Sequence, residues 1–314
     1  MFNIDMEEFD TEKTYDLIVL GGGPTAIACA IYAARFAMDV LVIGKIFGGL
    51  IATTHVVENY PGITSTSGQG LMDMFKDHMN SLSIPYISDE IRSVEQADDH
   101  FILHSFFQKF KAKSIVIATG SERKKLGITG EEEFTGRGVS YCATCDGPFY
   151  KNKIVCVIGG SDSAAKEALF LSQNVKKVYI IYRGEEIRAE PINKKRVEEN
   201  QNIEIIYNTN VTEIRGDNTV KSVIFDNGKE FEVDGVFIEV GSNPNSDLAK
   251  RIGIKTNEKD EIIINRKSET NIPGVFAAGD VADAPFKQAI TGVAEGVVAA
   301  YSAFDYIKDI IIDY

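Results

Sequence analysis

From Tyr15 the chain runs YDLIVLGGGPTAIACAIYAARFAMDVLVIG: an unbroken apolar stretch, a glycine turn, a segment free of internal Gly or Pro, then a second apolar stretch. This order predicts a strand, a helix and a second strand. The pattern returns 138 residues on, with Gly159 in the place of Gly21, as KIVCVIGGSDSAAKEALFLSQNVKKVYIIYRG. Between the two lies IVIATG (Ile115 to Gly120), and near the C-terminus GVFAAGD (Gly274 to Asp280). Each reads as an apolar strand ending in small residues and a tight turn, and the two look like closing strands of one sheet. Residues 292–308 have apolar or small side chains at helical spacing and suit a helix packed on the first unit.

The glycines give the first unit its chemistry. Gly21, Gly23 and Ala26 fit G-x-G-x-x-G/A, where the first position makes the turn, the second lets a pyrophosphate reach the backbone, and the third lets helix and strand pack closely. The phosphates would face the helix N-terminus, where unpaired N–H groups and the positive dipole end point outward. Two such units imply two nucleotides. The predicted fold class is α/β, with two Rossmann-like nucleotide-binding domains, one inserted in the other. The outer domain takes residues 1–123 and 247–314 and the inner 124–246, with hinges at Ser121 to Gly130 and Gly241 to Ser246, rich in turn residues.

Composition removes several alternatives. With 44% hydrophobic and 25% charged residues over 314 positions, the chain can build sizeable cores. A formal charge of −13 repels nucleic acid and anionic membrane surfaces. The apolar run Pro24 to Ala34 ends at Arg35, short of the roughly 20 residues that span a bilayer. The first dozen residues carry Asp5, Glu7, Glu8, Asp10 and Glu12 and do not read as a secretory signal, so a cytoplasmic protein is expected.

Four cysteines are too few for a secreted disulfide framework in a chain this long. Cys142 and Cys145, in SYCATCDGPFY, stand three apart, on one face of a predicted helical turn. Cβ atoms so placed lie about 5–6 Å apart, and slight tightening reaches bonding distance. A helix N-terminus would also favour the thiolate, the species that attacks disulfides. Zinc would need four ligands and there is no second C-x-x-C, so no metal is expected; Cys29 and Cys156 read as small core residues. His55, His78, His100 and His104 read as solvent or loop residues. Asp146 is either a helix-start carboxylate or a proton donor.

These motifs together resemble the low-molecular-weight thioredoxin reductases of bacteria and archaea. The resemblance spans nearly the whole chain and is carried by GGGPTA (Gly21 to Ala26), IGKIFGGL (Ile43 to Leu50), ENYPG (Glu58 to Gly62), IATG (Ile117 to Gly120), SYCATCDG (Ser140 to Gly147), GGSDSAAKEA (Gly159 to Ala168), GVFAAGDV (Gly274 to Val281) and KQAI (Lys287 to Ile290). It implies a homodimeric flavoprotein that passes electrons from NADPH, or NADH, through FAD and the Cys142–Cys145 disulfide to thioredoxin. Cys145 would face the flavin, Cys142 would attack the partner, and Asp146 would serve as acid and base. The inner domain would swing between two orientations.

The resemblance places FAD at Gly21, Gly23, Pro24, Thr25, Ala26, Gly48, Gly49, Leu50, Asn59, Ala118, Thr119, Gly120, Asp280, Lys287, Gln288 and Ala289. It places the pyridine nucleotide at Gly159, Gly160, Ser161, Asp162, Ser163, Ala164, Arg183 and Arg188. Gly44 and Lys45 stand where a ribose-binding acid is common, which is normal for the family, and Leu50 stands where many relatives have Gln. Ser161 replaces the middle glycine of the second turn. The family's strand-end His-Arg-Arg becomes Tyr182-Arg183-Gly184, with Glu185 and Glu186 adding negative charge. These departures leave open a reductase fed by ferredoxin or another carrier, or a flavin redox sensor without turnover.

Overall fold

A computed structural model describes residues 13–312, without the side chains of 309–312; the acidic first dozen residues lie outside it. The chain forms two compact α/β units, one from both chain ends, up to Glu122 and from Pro244, the other from Arg123 to Asn243.

The outer unit is built on a seven-stranded sheet. Its strands run in the order Tyr86–Ile87, Val40–Ile43, Thr14–Leu20, Lys109–Ile117, Phe101–His104 and Ser93–Gln96, and Val275–Ala277 also pairs with Lys109–Ile117. Thr14–Leu20 is parallel to both neighbours, with Ile18 opposite Leu41 and Ile115. Its residues Leu17, Ile18 and Val19 are wholly buried, as expected of a central strand covered on both faces. Ile115 to Gly120 does not close the sheet: Lys109–Ile117 lies in its middle and is shared on one side by Phe101–His104, antiparallel, and Val275–Ala277, parallel.

The helix Pro24–Arg35 leaves the first strand through Gly21, whose φ is +136° and whose added Cβ would lie 2.1 Å from the Ala118 carbonyl oxygen. The C-terminal helix Ala289–Ile312 returns to this unit, as its periodicity predicts, and its Ala299, Ala300 and Ala303 share the core of the first helix. Small residues permit the approach. A Cβ at Gly292 would sit 2.5 Å from the Thr25 hydroxyl, and one at Gly296 2.3 Å from the Thr25 carbonyl.

The inner unit has a five-stranded sheet, parallel throughout, in the order Ile203–Ile206, Lys177–Ile181, Ile154–Ile158, Gly235–Ile238 and Val139–Ser140, and a three-stranded antiparallel sheet from Val211 to Glu232. Parallel strands deliver their following loops to one edge. Gly159, Tyr182, Glu239 and Tyr141 each follow a strand of the larger sheet, so the second glycine turn and the cysteine segment issue from the same carboxyl edge. The stretch from Gly241 to Ser246, read as loop, is extended at Ser242–Pro244. The two chain crossings are fastened within each unit. Thr119 Oγ1 donates to the Asn245 carbonyl and Asn245 Nδ2 to that of Thr119, while Lys124 N–H donates to Gly241.

Gly296→Ala tests the helix contact. Its Cβ meets backbone, which cannot rotate away, so a loss on the order of 1–3 kcal/mol is expected in urea unfolding. An unchanged midpoint would mean that the two helices can part without cost.

Candidate active site: a redox disulfide and two dinucleotide cradles

Cys142 and Cys145 form a disulfide with Cα atoms 5.3 Å apart. The helix that carries them, Ala143–Asp146, is a single turn, and Cys142 is its N-cap with extended φ and ψ of −147° and 99°. The Cys142 sulfur accepts the Cys145 N–H at 3.2 Å. That donor would stabilise a thiolate on Cys142 once the bond opens.

So short a helix holds few hydrogen bonds of its own, and buried polar neighbours fix it. The Ser140 hydroxyl, only 4% exposed, accepts the Cys142 N–H at 3.1 Å and donates to Asp146 Oδ2 at 2.6 Å. Asp146 is the last residue of this single turn and stands at the N-cap position of the short 3-10 helix Gly147–Tyr150 that follows, where its side chain makes no cap bond. On the other side, Tyr141 Oη donates to Glu131 Oε1 at 2.7 Å, and Glu131 also accepts the N–H groups of Leu126 and Gly127. Burial, followed by this carboxylate, pushes the Tyr141 hydroxyl up to about 12.

Behind the turn lie three charges. Glu167, on the helix Asp162–Leu171, accepts the Ala143 N–H at 3.3 Å. Arg123 stands 3.6 Å from Glu167 and pairs with Glu239. Burial pushes the Glu167 carboxyl up to about 7, with Arg123 and the Ala143 N–H pulling the other way.

The residues of the outer unit fit a dinucleotide. Gly23 has ordinary angles, φ −82° and ψ 179°, yet a Cβ there would meet nothing within 4 Å, so this glycine keeps space open at the helix start. That helix has no side-chain cap, which leaves its first N–H groups for phosphate oxygens. Gly48 N–H donates to the Gly22 carbonyl, and Gly49, at φ +61°, packs on Gly23 ahead of the short helix Leu50–Thr53. Ala118 to Gly120 and the turn Gly279–Val281, which holds Asp280, arrive from neighbouring strands. Asn59 Nδ2 donates to Gln288 Oε1 at 3.1 Å, and Lys287 bridges Glu261 and the Asp280 carbonyl just ahead of Ala289. Burial raises the Asp280 carboxyl, against the pull of Lys287.

The inner cradle is built differently. Ser161 has nearly the backbone of Gly23, φ −84° and ψ 175°, but its hydroxyl caps the helix by accepting the Ala164 N–H at 3.4 Å. Arg188 N–H donates to the Gly160 carbonyl at 2.6 Å. Asp162 accepts from the Glu190 N–H and Asn193 Nδ2 and pairs with Lys166. A Cβ on Gly160 would strike the Tyr182 ring at 2.4 Å. Ser163 is exposed and Ala164 buried, while Arg183 and Arg188 are exposed beyond the turn, where Glu186 pairs with Lys194.

Cys29 and Cys156 are fully buried thiols. His104 is not the open loop residue expected, whereas His100 lies in the turn before its strand. They stand four apart, half-buried, His104 in the strand Phe101–His104, beside Asp99 and Glu95 respectively. Among the described residues no cluster of His, Cys, Asp or Glu could hold a metal, and no helix is long and apolar enough to cross a membrane. Ser140, Glu167 and Arg123 were not legible as site residues; the one hint is that Ser140 lies two positions before Cys142 and Glu167 just past the second glycine turn.

Two outcomes follow. Ser140→Ala strands Asp146 Oδ2 and the Cys142 N–H, and should cost about 1–3 kcal/mol in urea unfolding; no change would mean that water replaces the hydroxyl. Because the folded state raises Glu167 from 4.5 to about 7, its contribution is full below pH 4.5 and is lost as pH rises through 7. Glu167→Gln should therefore melt higher than wild type at pH 8 but not at pH 4.5. An equal difference at both pH values would contradict the raised carboxyl.

The pyridine nucleotide-disulphide oxidoreductase pattern matches residues 15–296. Thioredoxin reductase of Bacillus subtilis is 37% identical over 306 residues, covering 95% of this chain and 96% of that protein. The thioredoxin reductase structure of Lactococcus lactis is similar at a TM-score of 0.91 and 36% identity, covering 94% of this chain and 100% of that one. For T. acidophilum thioredoxin reductase the values are 0.89, 36%, 93% and 98%. On sequence and fold together, the chain belongs to the low-molecular-weight thioredoxin reductases, within the pyridine nucleotide-disulphide oxidoreductase family.

Proposed function

We propose that the protein is a thioredoxin-disulfide reductase, a cytoplasmic homodimer that takes electrons from NADPH and delivers them to thioredoxin through Cys142 and Cys145. The observation that carries the reading is the Cys142 sulfur at a helix N-cap, already accepting an N–H bond. Bound FAD supplies the two-electron carrier between nicotinamide and disulfide. The outer cradle of Gly21, Gly23 and Thr25 would hold its pyrophosphate, and Asn59, Asp280 and Gln288 would orient the far end.

Reduction of the disulfide consumes two electrons and two protons. Cys142, stabilised as thiolate by the Cys145 N–H, attacks one sulfur of the thioredoxin disulfide and releases the other as a thiolate. Asp146, held by Ser140, passes a proton to that leaving thiolate. Cys145 then attacks the mixed disulfide, restores the Cys142–Cys145 bond and frees dithiol thioredoxin.

Arg183 and Arg188 support NADPH, since guanidinium groups suit the 2′-phosphate. Ser161 opposes tight binding, because it puts a Cβ and a hydroxyl at the position in the inner unit that corresponds to Gly23, where the outer unit leaves space open. The serine-to-glycine change at a cap costs only a few tenths of a kcal/mol.

Cys142→Ser should abolish thioredoxin turnover while NADPH still bleaches the flavin; turnover at the wild-type rate would remove Cys142 from the reaction. Ser161→Gly should lower the KM for NADPH several-fold with little change in melting temperature. An oxidised flavin that neither NADPH nor NADH bleaches in either protein would instead mean that another carrier feeds the disulfide.

A further inference from the structure

We propose that Arg123, Glu167 and Glu239 form a partly buried charge cluster that sets the balance between the disulfide and dithiol forms of Cys142 and Cys145. The inference rests on the disulfide being the working group, as argued above. It does not depend on which donor reduces it or which partner oxidises it.

Glu167 reaches the redox turn directly, since its Oε1 accepts the N–H of Ala143, the residue that follows Cys142. Its other oxygen, Oε2, is buried and has no hydrogen-bond partner. Arg123 faces both Glu167 and Glu239, whose side chains are 15% and 8% exposed. One guanidinium thus serves two carboxylates, and the cluster carries a net negative charge when both are ionised. Other charges near the turn do not cancel it. Lys166, on the same helix as Glu167, is held 2.8 Å from Asp162, and Asp146, on the cysteine helix, adds a further carboxylate bonded to Ser140.

The N-terminus of the cysteine helix is where this charge acts. In the disulfide both sulfurs are neutral, and the Glu167 carboxylate has the adjacent N–H to itself. Opening the bond puts a thiolate on Cys142, held by the Cys145 N–H two residues along the turn from the Ala143 N–H that Glu167 holds. Two anions held on neighbouring N–H groups of one turn each disfavour the other's charged form. An ionised Glu167 therefore holds the pair toward disulfide, and Arg123 offsets it. Glu167 is a positioning residue here, acting through the turn rather than on a reacting sulfur.

The test is the equilibrium dithiol + GSSG ⇌ disulfide + 2 GSH in the full-length protein, at pH 8 in glutathione buffers of graded ratio. The thiols are quenched by alkylation and the Cys142–Cys145 peptide is read by mass. Glu167→Gln keeps the acceptor for Ala143 and removes the charge, so it should shift the equilibrium toward dithiol by about three- to tenfold. Arg123→Gln should shift it toward disulfide by a similar factor. If either variant fails to fold by circular dichroism, Glu239→Gln takes its place; by freeing Arg123 for Glu167 it should move the balance toward dithiol. A merely structural cluster would lower melting temperatures without these shifts. Equilibria within twofold of wild type, or shifts of Glu167→Gln and Arg123→Gln in the same direction, overturn the proposal. Loss of thioredoxin turnover with the shifts intact would overturn the proposed partner and leave the cluster standing.

Discussion

A helical turn of four residues cannot hold itself together, because nucleation fixes many dihedral angles for very few hydrogen bonds. The redox pair of this protein sits on such a turn. Its geometry is borrowed from outside: Ser140 beneath Cys142 and Asp146, Glu167 on the Ala143 N–H, and Glu131 on Tyr141. Each bond is partly buried, so losing one partner leaves the other with part of its desolvation cost unpaid.

That scaffold exists because of strand order. Val139–Ser140 lies beside Gly235–Ile238, which lies beside Ile154–Ile158, all parallel. Their carboxyl ends bring Tyr141, Glu239 and Gly159 to one edge, so the cysteine turn, the charge cluster and the inner glycine turn share a neighbourhood. The two glycine turns of the chain show what one side chain changes. Gly23 and Ser161 have almost the same backbone angles, yet one leaves a helix end open and the other caps it. A dinucleotide at the first finds donors waiting; at the second it must displace a hydroxyl.

Much of this was legible in the sequence because it is local. The βαβ patterns, the glycine turn with its forced φ at Gly21 and the three-residue spacing of the cysteines are written within a few positions of one another. The C-terminal helix was legible from its periodicity, and its docking from the small residues that meet Thr25. What escaped depends on distant pairing. Glu167 lies 24 positions from Ala143, and Arg123 reaches Glu239 from the far end of the inner unit, so no local spacing announces the cluster. The partner of Asp146 was not legible either, since Ser140, buried at the end of its strand, donates to it from six positions back. His104 reads as a solvent or loop residue, but the strand Phe101–His104 carries it partly into the interior beside Glu95.

The central claim is that Cys142 is the sulfur that meets the partner. A thioredoxin retaining only its exposed cysteine, activated as a mixed disulfide with thionitrobenzoate, tests it against reduced Cys145→Ser and Cys142→Ser proteins. Stoichiometric release of the yellow thiol, with a covalent adduct through Cys142 in the first protein and none in the second, is the predicted result. An adduct that forms only through Cys145 would contradict the account.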